Sequence, residues 1–215
     1  MDPKIIIRNY RAEDRDAVRR ISCDTAFLEK GRGLICDDDE LLADFLTIYF
    51  TDHEPQSCFV AEADQGVVGY LIGARDIKAM QKILHFKIIP QLIRKSWRRG
   101  LFFRKGNLWF LAYCFRSFFC GEFFMPDFYK QFPATFHINI DRGYRGQGVG
   151  RQLVEQYLAY LVEQNVQGVQ LATLSDHAKI FFTKVGLTLL FTNKRSYLRK
   201  YLGGDVSFYL FGKIL

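Results

Sequence analysis

Two hydrophobic periods alternate along the chain: short runs of β-branched and aromatic residues, and longer segments whose apolar positions recur every three to four residues. Lys4 to Asn9, rich in isoleucine, predicts an opening strand, and Ala12-Glu13-Asp14-Arg15-Asp16 starts a helix carried on by Val18, Ile21 and Ala26. After a Gly31-Arg32-Gly33 break, Cys36-Asp37-Asp38-Asp39-Glu40 stands before the apolar series Leu41, Leu42, Phe45, Leu46 and Tyr49, a second helix. Cys58 to Glu62 and Val67 to Gly73, joined by Ala63-Asp64-Gln65-Gly66, predict an antiparallel hairpin. Ile77, Met80, Leu84 and Ile88 keep helical spacing up to Pro90, and Gln91 to Arg99 predicts a further helix ending at Gly100. Ala134 to Ile140 is an extended, half-apolar run. Arg151 to Leu161 follows as an amphipathic helix with Leu153, Val154, Tyr157, Leu158 and Leu161 on one face. Gly168 to Leu174 is the next strand, and Ser175-Asp176 caps a helix carrying Ala178, Phe181, Phe182 and Val185 that stops at Gly186. Leu187 to Thr192 and Val206 to Lys213 are the last strands, separated by a basic, tyrosine-bearing loop. This alternation is that of an α/β fold.

With 215 residues, 49% hydrophobic and 25% charged, the chain is long enough for a sizeable core and has an ordinary globular composition. One domain over 1–215 is expected, with an embellishment at 76–131. Met1-Asp2-Pro3-Lys4 leads straight into the first strand without the marks of a secretory signal, so a cytoplasmic protein is expected. Cys23, Cys36, Cys58, Cys114 and Cys120 form no metal-ligand or disulfide spacing, so no metal is expected and the cysteines read as small hydrophobes. The acids at 37–40 read as a helix N-terminus, with an electrostatic trap for an amine as the alternative.

Charge changes the picture in one place. Between Asp76 and Gln131 eleven bases face three acids, a surplus of eight in a chain whose total is +7. The same segment holds Trp97, Trp109 and a run of phenylalanines (Phe115, Phe118, Phe119, Phe123, Phe124). Three readings compete: a helical insertion packing its aromatics on the sheet and covering the cleft as a lid, a membrane-surface contact, and nucleic-acid binding, which no motif supports. The longest apolar run, Leu108 to Phe115, is far shorter than the roughly 20 residues of a membrane-crossing helix.

The candidate chemistry lies at Arg145-Gly146-Gln147-Gly148-Val149-Gly150, between the Ala134–Ile140 strand and its helix. Glycines at such a turn let a ligand approach the backbone, and the first helical turn presents unpaired N–H groups to an anion, most often phosphate. A P-loop would need Gly-Lys-Ser/Thr where Val149-Gly150-Arg151 stands, and a dinucleotide fingerprint needs a different glycine spacing. The hexapeptide does fit the Arg/Gln-x-x-Gly-x-Gly/Ala signature, and the chain resembles the GNAT acetyltransferases from end to end. Ser175-Asp176-His177-Ala178-Lys179-Ile180-Phe181-Phe182-Thr183-Lys184-Val185-Gly186-Leu187 is similar to the family's second motif, Asn-x-x-Ala-x-x-x-Tyr-x-x-x-Gly-Phe. Phe132 to Ile140 further resembles the subgroup that includes the acetyltransferase-like domain of O-GlcNAcases.

This resemblance implies a mixed, mostly antiparallel sheet splayed between its fourth and fifth strands, with flanking helices and a helical insertion between the third and fourth. It implies an acetyl-CoA-dependent N-acetyltransferase, in which a small-molecule or peptide amine attacks the thioester directly in a ternary complex. A catalytically silent module of the same fold, binding acyl-CoA or a partner, is the alternative. No nucleic-acid partner is expected, and the protein is a monomer or a homodimer. The resemblance places the pyrophosphate on the amides of Gln147 to Gly150, Val149 among them, with Arg145 and Gly146 shaping the turn. It pairs the pantetheine arm with Ile138 and Ile140, sets Ser175, Ala178, Phe181 and Phe182 beside the cofactor, and brings Arg151, Lys184 or Lys179 within reach of the nucleotide phosphates. Phe182 replaces a tyrosine that protonates the departing thiolate, and Ser175 replaces the motif's asparagine. His137 and Asn139 are the candidate catalytic residues. Alternation along the strand puts them opposite Ile138 unless a bulge intervenes, and His137 reads equally as a packed histidine under a helix. Water relayed from Asp38, Asp39 or Tyr49 is a further route for the proton.

Overall fold

Seven apolar runs pair into one sheet: β1 (Ile6–Asn9), β2 (Cys58–Ala63), β3 (Gly66–Ala74), β4 (Ala134–Ile140), β5 (Gly168–Thr173), β6 (Thr188–Arg195) and β7 (Val206–Ile214). The structure, a computed structural model, describes residues 5–26, 38–101 and 105–215. Met1 to Lys4, the Gly31-Arg32-Gly33 break, Cys36, Asp37 and Arg104 lie outside them. The strand order is β1-β2-β3-β4-β5-β7-β6, so the last strand inserts between its two predecessors. Every pair is antiparallel except β4 with β5.

Side chains of β3 alternate between two cores, as the strand period requires. Leu71 points to the face covered by α6 (Val149–Glu163) and α7 (Asp176–Lys184), where it joins Phe136, Leu153, Tyr157, Leu161 and Phe182. Tyr70 and Ile72 point to the opposite face, against Val18 and Ile21 of α1 (Arg15–Thr25) and against Tyr49 and Phe50, which follow α2 (Asp39–Ile48). The capping signals fall where expected: Asp38 accepts the Leu41 N–H at 2.9 Å, Ser175 accepts the Ala178 N–H at 3.3 Å, and Gly186 ends α7 with φ +84°.

Asp14 joins β1 to the start of α1. It is 4% exposed and accepts two hydrogen bonds from the Arg8 guanidinium, at 2.7 and 2.8 Å, and the Arg11 N–H at 2.8 Å. Burial works to raise its pKa, and these three donors more than offset it, so the carboxyl lies below its ordinary value. Its contribution to stability is therefore present above the ordinary carboxylate range and lost as pH falls through the folded-state value. Asp14→Asn is expected to lower stability by about 2 kcal/mol at pH 7, with the gap to the parent closing towards pH 3 in denaturant titrations.

Between β3 and β4 the chain forms α3 (Ile77–Ile83), a π-helical stretch (Leu84–Ile88), α4 (Ile89–Arg98) and α5 (Lys105–Phe119). Pro90 does not separate two helices. It sits in the first turn of α4, where its missing N–H is tolerated. Helix α4 lies against α2 through ion pairs: Lys95 to Glu40 and Asp44, both at 2.7 Å, and Arg99 to Asp38 at 2.6 Å and Glu40 at 2.5 Å. Hydrogen bonds from Lys95 and Arg99 hold the Glu40 pKa down to about 2. Asp38 and Glu40 are thus already neutralised, which removes them as a trap for a cationic amine. Helix α5 is anchored to the β6–β7 connection, which carries the short α8 (Arg199–Leu202). Phe110 meets the rings of Tyr197 and Tyr201 at 6.2 and 6.3 Å, and the Glu122 carboxylate accepts from the Ser196 N–H and hydroxyl at 2.7 and 2.6 Å.

Candidate active site

Strands β4 and β5 hold together over only two residue pairs, Ala134 with Val169 and Thr135 with Gln170, and then part. The gap opens into a cleft of about 990 Å³ that runs from β4 and β5 to the glycine turn and α7. Its apex is secured by Tyr157 of α6, whose hydroxyl donates to the Thr135 carbonyl at 2.9 Å. The β3–β4 register is uninterrupted from Gly69 opposite Ile140 to Ala74 opposite Thr135, so no bulge shifts β4.

The phase of that ladder decides which backbone groups face the gap. Asp141 donates to the Val68 carbonyl at 2.8 Å, and antiparallel pairs alternate, so Thr135, His137 and Asn139 bond towards β3. The N–H groups of Ile138 and Ile140 consequently point into the opening, where β5 has already turned away. Arg145 donates from Nε to the Ile140 carbonyl at 3.0 Å, which ties the turn to the strand and occupies that acceptor.

In the turn itself, Gly146 and Gly148 have φ of +80° and +81°, values that L side chains rarely adopt. Gly148 caps α6 and its carbonyl accepts the first intrahelical bond, from Gln152 at 3.2 Å. The N–H groups of Val149, Gly150 and Arg151 therefore have no acceptor within the helix and sit at its positive end. Gly150 is closely packed. A Cβ there would lie 3.0 Å from Ile140 Cδ1 and 3.2 Å from Phe181 Cζ.

On the α1–α2 side of the sheet, the His137 ring lies edge-on to Phe50, with centroids 5.6 Å apart. Solvent reaches the ring through the cleft, yet protein surrounds it on most sides, and this desolvation moves its pKa below the ordinary imidazole value. Asn139 Nδ2 donates to the Tyr70 hydroxyl at 2.7 Å, leaving Oδ1 as an acceptor. Tyr70 also bonds Ser22, and burial raises its pKa to about 12, so it stays a neutral phenol.

The cleft brings together His137, Ile138, Asn139, Ile140, Arg145, Gly146, Gly148, Val149, Gly150, Arg151, Ser175, Ala178, Phe181, Phe182 and Lys184. Both faces of β4 contribute because the cleft passes through the parting of the strands. Gln147 is absent from the lining. Its side chain folds back to donate to the Gly143 carbonyl at 3.0 Å. Lys179 also turns away, over the Tyr209 ring at 4.7 Å, and Arg151 bonds Glu155 at 2.8 Å on the helix surface. Thr25, Thr173 and His177 line the cleft without having been singled out from sequence. Only His177 carried a signal, its place between the Ser175 cap and Ala178. None of the described residues of 76–131 lines the cleft; ion pairs hold α4 of the insertion against α2.

Residues 16–187 match the acetyltransferase (GNAT) family. The chain belongs to that family. Its fold is shared with the crystal structure of SsHAT, at 20% identity over 99% of this chain and 98% of that one, with a TM-score of 0.69. It is shared also with a Drosophila melanogaster polyamine N-acetyltransferase, at 14% identity over 99% and 100% of the two chains and a TM-score of 0.58. A third likeness is yncA, a putative acetyltransferase from Salmonella typhimurium solved with its cofactor acetyl-CoA, at 12% identity over 98% and 94% and a TM-score of 0.60. The mixed sheet parted between β4 and β5, with helices on both faces and a helical insertion after β3, is the GNAT fold that the sequence resemblance implied.

In this GNAT chain Phe182 is 4% exposed and packs among the rings of Phe136, Phe181 and Phe211, with centroids 5.1 to 6.1 Å away. Hydrocarbon thus surrounds the position at which the motif that the chain resembles has a tyrosine. Among the described residues, Thr25, Thr173 and Ser175 are the hydroxyl-bearing ones that line the cleft.

Proposed function

We propose that this chain is an acetyl-CoA-dependent N-acetyltransferase that acetylates a primary amine of a small molecule or peptide by direct attack in a ternary complex. The observation that carries the reading is the parting of β4 from β5, which leaves the Ile138 and Ile140 N–H groups facing a cleft whose mouth is a helix N-terminus. The free amides of Val149, Gly150 and Arg151 suit a pyrophosphate, and the exposed side chain of Lys184 suits the nucleotide end. The Ile138 N–H is a preorganised donor for the oxyanion that forms as the amine adds to the thioester carbonyl.

His137 is the proposed base. With its pKa held below the ordinary value it is neutral at pH 7, ready to accept the proton that the amine loses. Asn139, oriented by Tyr70, offers Oδ1 to an amine N–H. Phe182 donates nothing, and a thiol of ordinary pKa, about 8.5, leaves as a thiolate without that help. Residues 1–215 are taken as one acetyltransferase domain with 76–131 appended to it, acting as a monomer or homodimer.

The test is thiol release from acetyl-CoA across a panel of amines. Release that depends on an acceptor supports transfer. Saturable binding of acetyl-CoA with no such release would establish the second reading, a silent acyl-CoA-binding module, which the burial of Phe182 favours.

Gly150→Val tests the cofactor half separately. A Cβ at that position must displace Ile140 or Phe181, both of which line the cleft, so the pantetheine path narrows. The Kd for acetyl-CoA is expected to rise by about tenfold or more by calorimetric titration, on the scale of one mis-packed contact. A Kd equal to that of the parent would place the cofactor elsewhere.

A further inference from the structure

Helix α4 and the π-helical stretch before it pack Ile88 and Leu92 on the core and pair Lys95 and Arg99 with α2, yet they leave a second row of apolar residues facing outward. Lys95 and Arg99 reach α2, while Phe86, Pro90, Ile93 and Trp97, spaced along one side, face solvent; Phe86 is 77% and Trp97 66% exposed. Lys87, Arg94 and Arg98 stand exposed beside this stripe, and among the described residues no acid pairs with Arg94 or Arg98. Arg94, Lys95, Arg98, Arg99 and Gln91 also line a basic depression of about 450 Å³. Helix α5 likewise exposes a row of apolar residues. Phe110 and Ser117 face the protein, while Trp109, Leu111, Phe115, Phe118 and Phe119 are exposed, Phe115 to 68% and Phe119 to 70%. The rings of Phe115, Phe119, Phe118 and Phe124 follow one another at 4.6, 5.7 and 6.3 Å and form a patch. Lys200 covers the Trp109 ring at 4.6 Å, and Arg116 is exposed on α5.

Apolar area on this scale marks a surface that something covers. A second copy of the chain is disfavoured by charge. A two-fold contact would set Lys87, Arg94 and Arg98 against their own equivalents, in a segment with a surplus of eight positive charges. The complementary partner is anionic and apolar together. We propose that the outer faces of α4 and α5 rest on an anionic phospholipid bilayer, Trp97 and Trp109 at the level of the headgroups and the basic side chains against lipid phosphates. Among the described residues no helix is long and apolar enough to cross a membrane, so the contact lies in the interface plane. This surface is separate from the cleft and does not depend on acetyl transfer.

Trp97 on α4 and Trp109 on α5 are the two tryptophans of the chain, so intrinsic emission reports on both helices directly. The full chain, checked by circular dichroism, is mixed with vesicles of phosphatidylcholine alone or of phosphatidylcholine with phosphatidylglycerol, and followed by emission and co-sedimentation. A blue shift and co-sedimentation are expected with the anionic vesicles only, weakened about tenfold or more between low and high salt. Arg94→Glu with Arg98→Glu is expected to weaken binding about as much, with thiol release in the absence of lipid unchanged. Phe115→Ser, which keeps the charge, is expected to reduce the shift. Trp97→Phe and Trp109→Phe are each expected to retain part of the shift; complete loss in one variant removes the other variant's helix from the contact. Equal binding to neutral vesicles, no binding at low salt, or a lipid-free dimer with both tryptophans already blue-shifted would overturn the proposal.

Discussion

His137→Ala is expected to lower kcat by about 10² to 10⁴ at pH 7.5, the range for removal of a positioned general base, while the KM for acetyl-CoA stays that of the parent. The split between the two parameters matters because the His137 ring lies beside Phe50 on the α1–α2 side of the sheet, whereas the glycine turn opens α6 on the other face. His137→Gln keeps much of the ring's volume without a titrating group and is expected to be as slow. The pH profile gives an independent check. Burial disfavours the imidazolium, so the parent's kcat/KM is expected to fall on the acid side with a midpoint below the ordinary imidazole value of about 6.5. Stability carries the same sign. The folded protein binds fewer protons at this site than the unfolded chain, so the contribution of His137 is complete above about pH 6.5 and is lost as pH falls through the folded-state pKa. Retention of the parent kcat and the same acid limb in His137→Ala would assign the proton to solvent.

The second large effect is on stability, at a residue that touches no part of the proposed chemistry. Gly73, next to the last residue of β3, lies beneath the Tyr157 ring, and a Cβ at that position would fall inside the ring's van der Waals envelope. Tyr157 is fully buried, and its hydroxyl lies 2.9 Å from the Thr135 carbonyl and 3.3 Å from that of Ala74. Gly73→Val must push the ring off the strand, which adds overpacking to the loss of those hydrogen bonds, about 3 to 5 kcal/mol in all. For a domain whose total stability is about 5 to 15 kcal/mol, this lowers Tm by roughly 10 °C or more. Because Tyr157 sits on the helix that begins at the glycine turn, the affinity for acetyl-CoA is expected to weaken as well. Tyr157→Ala in the same chain removes the clash, so the double variant is expected to be more stable than the sum of the single losses. Additive losses would mean that the ring is not what Gly73 accommodates.

Much of this protein is legible in the chain itself. The β2–β3 hairpin, the Ser175 cap, the Gly186 stop and the left-handed glycines of the turn are set by residues within a few positions of each other. The family resemblance rests on two such local stretches in the correct order. Where the same local signals were extended over a distance they faltered. The helical spacing from Ile77 to Ile88 is sound, but Pro90 continues into α4 rather than separating helices. The acids before α2 do mark its N-terminus, as Asp38 shows, but their charge is taken up by Lys95 and Arg99 more than fifty residues away. The aromatics of the insertion are the sharpest case. Their composition is compatible with packing inward, and only long-range contacts, the ion pairs of α4 with α2 and the seating of Phe110 against Tyr197 and Tyr201, leave Trp97, Trp109, Phe115 and Phe119 facing outward.

By itself, then, the sequence determined the elements, their caps and the glycine turn that opens α6, because backbone dihedrals and helix ends respond to neighbouring residues. The tertiary structure alone decided that β7 inserts between β5 and β6, that β4 and β5 part after two residue pairs, and that His137 lines the resulting opening beside Asn139. It also decided that Gly73 must leave room for Tyr157. These are outcomes of which faces bury one another at lowest free energy, a sum over contacts distant in the chain that no fixed spacing of residues records.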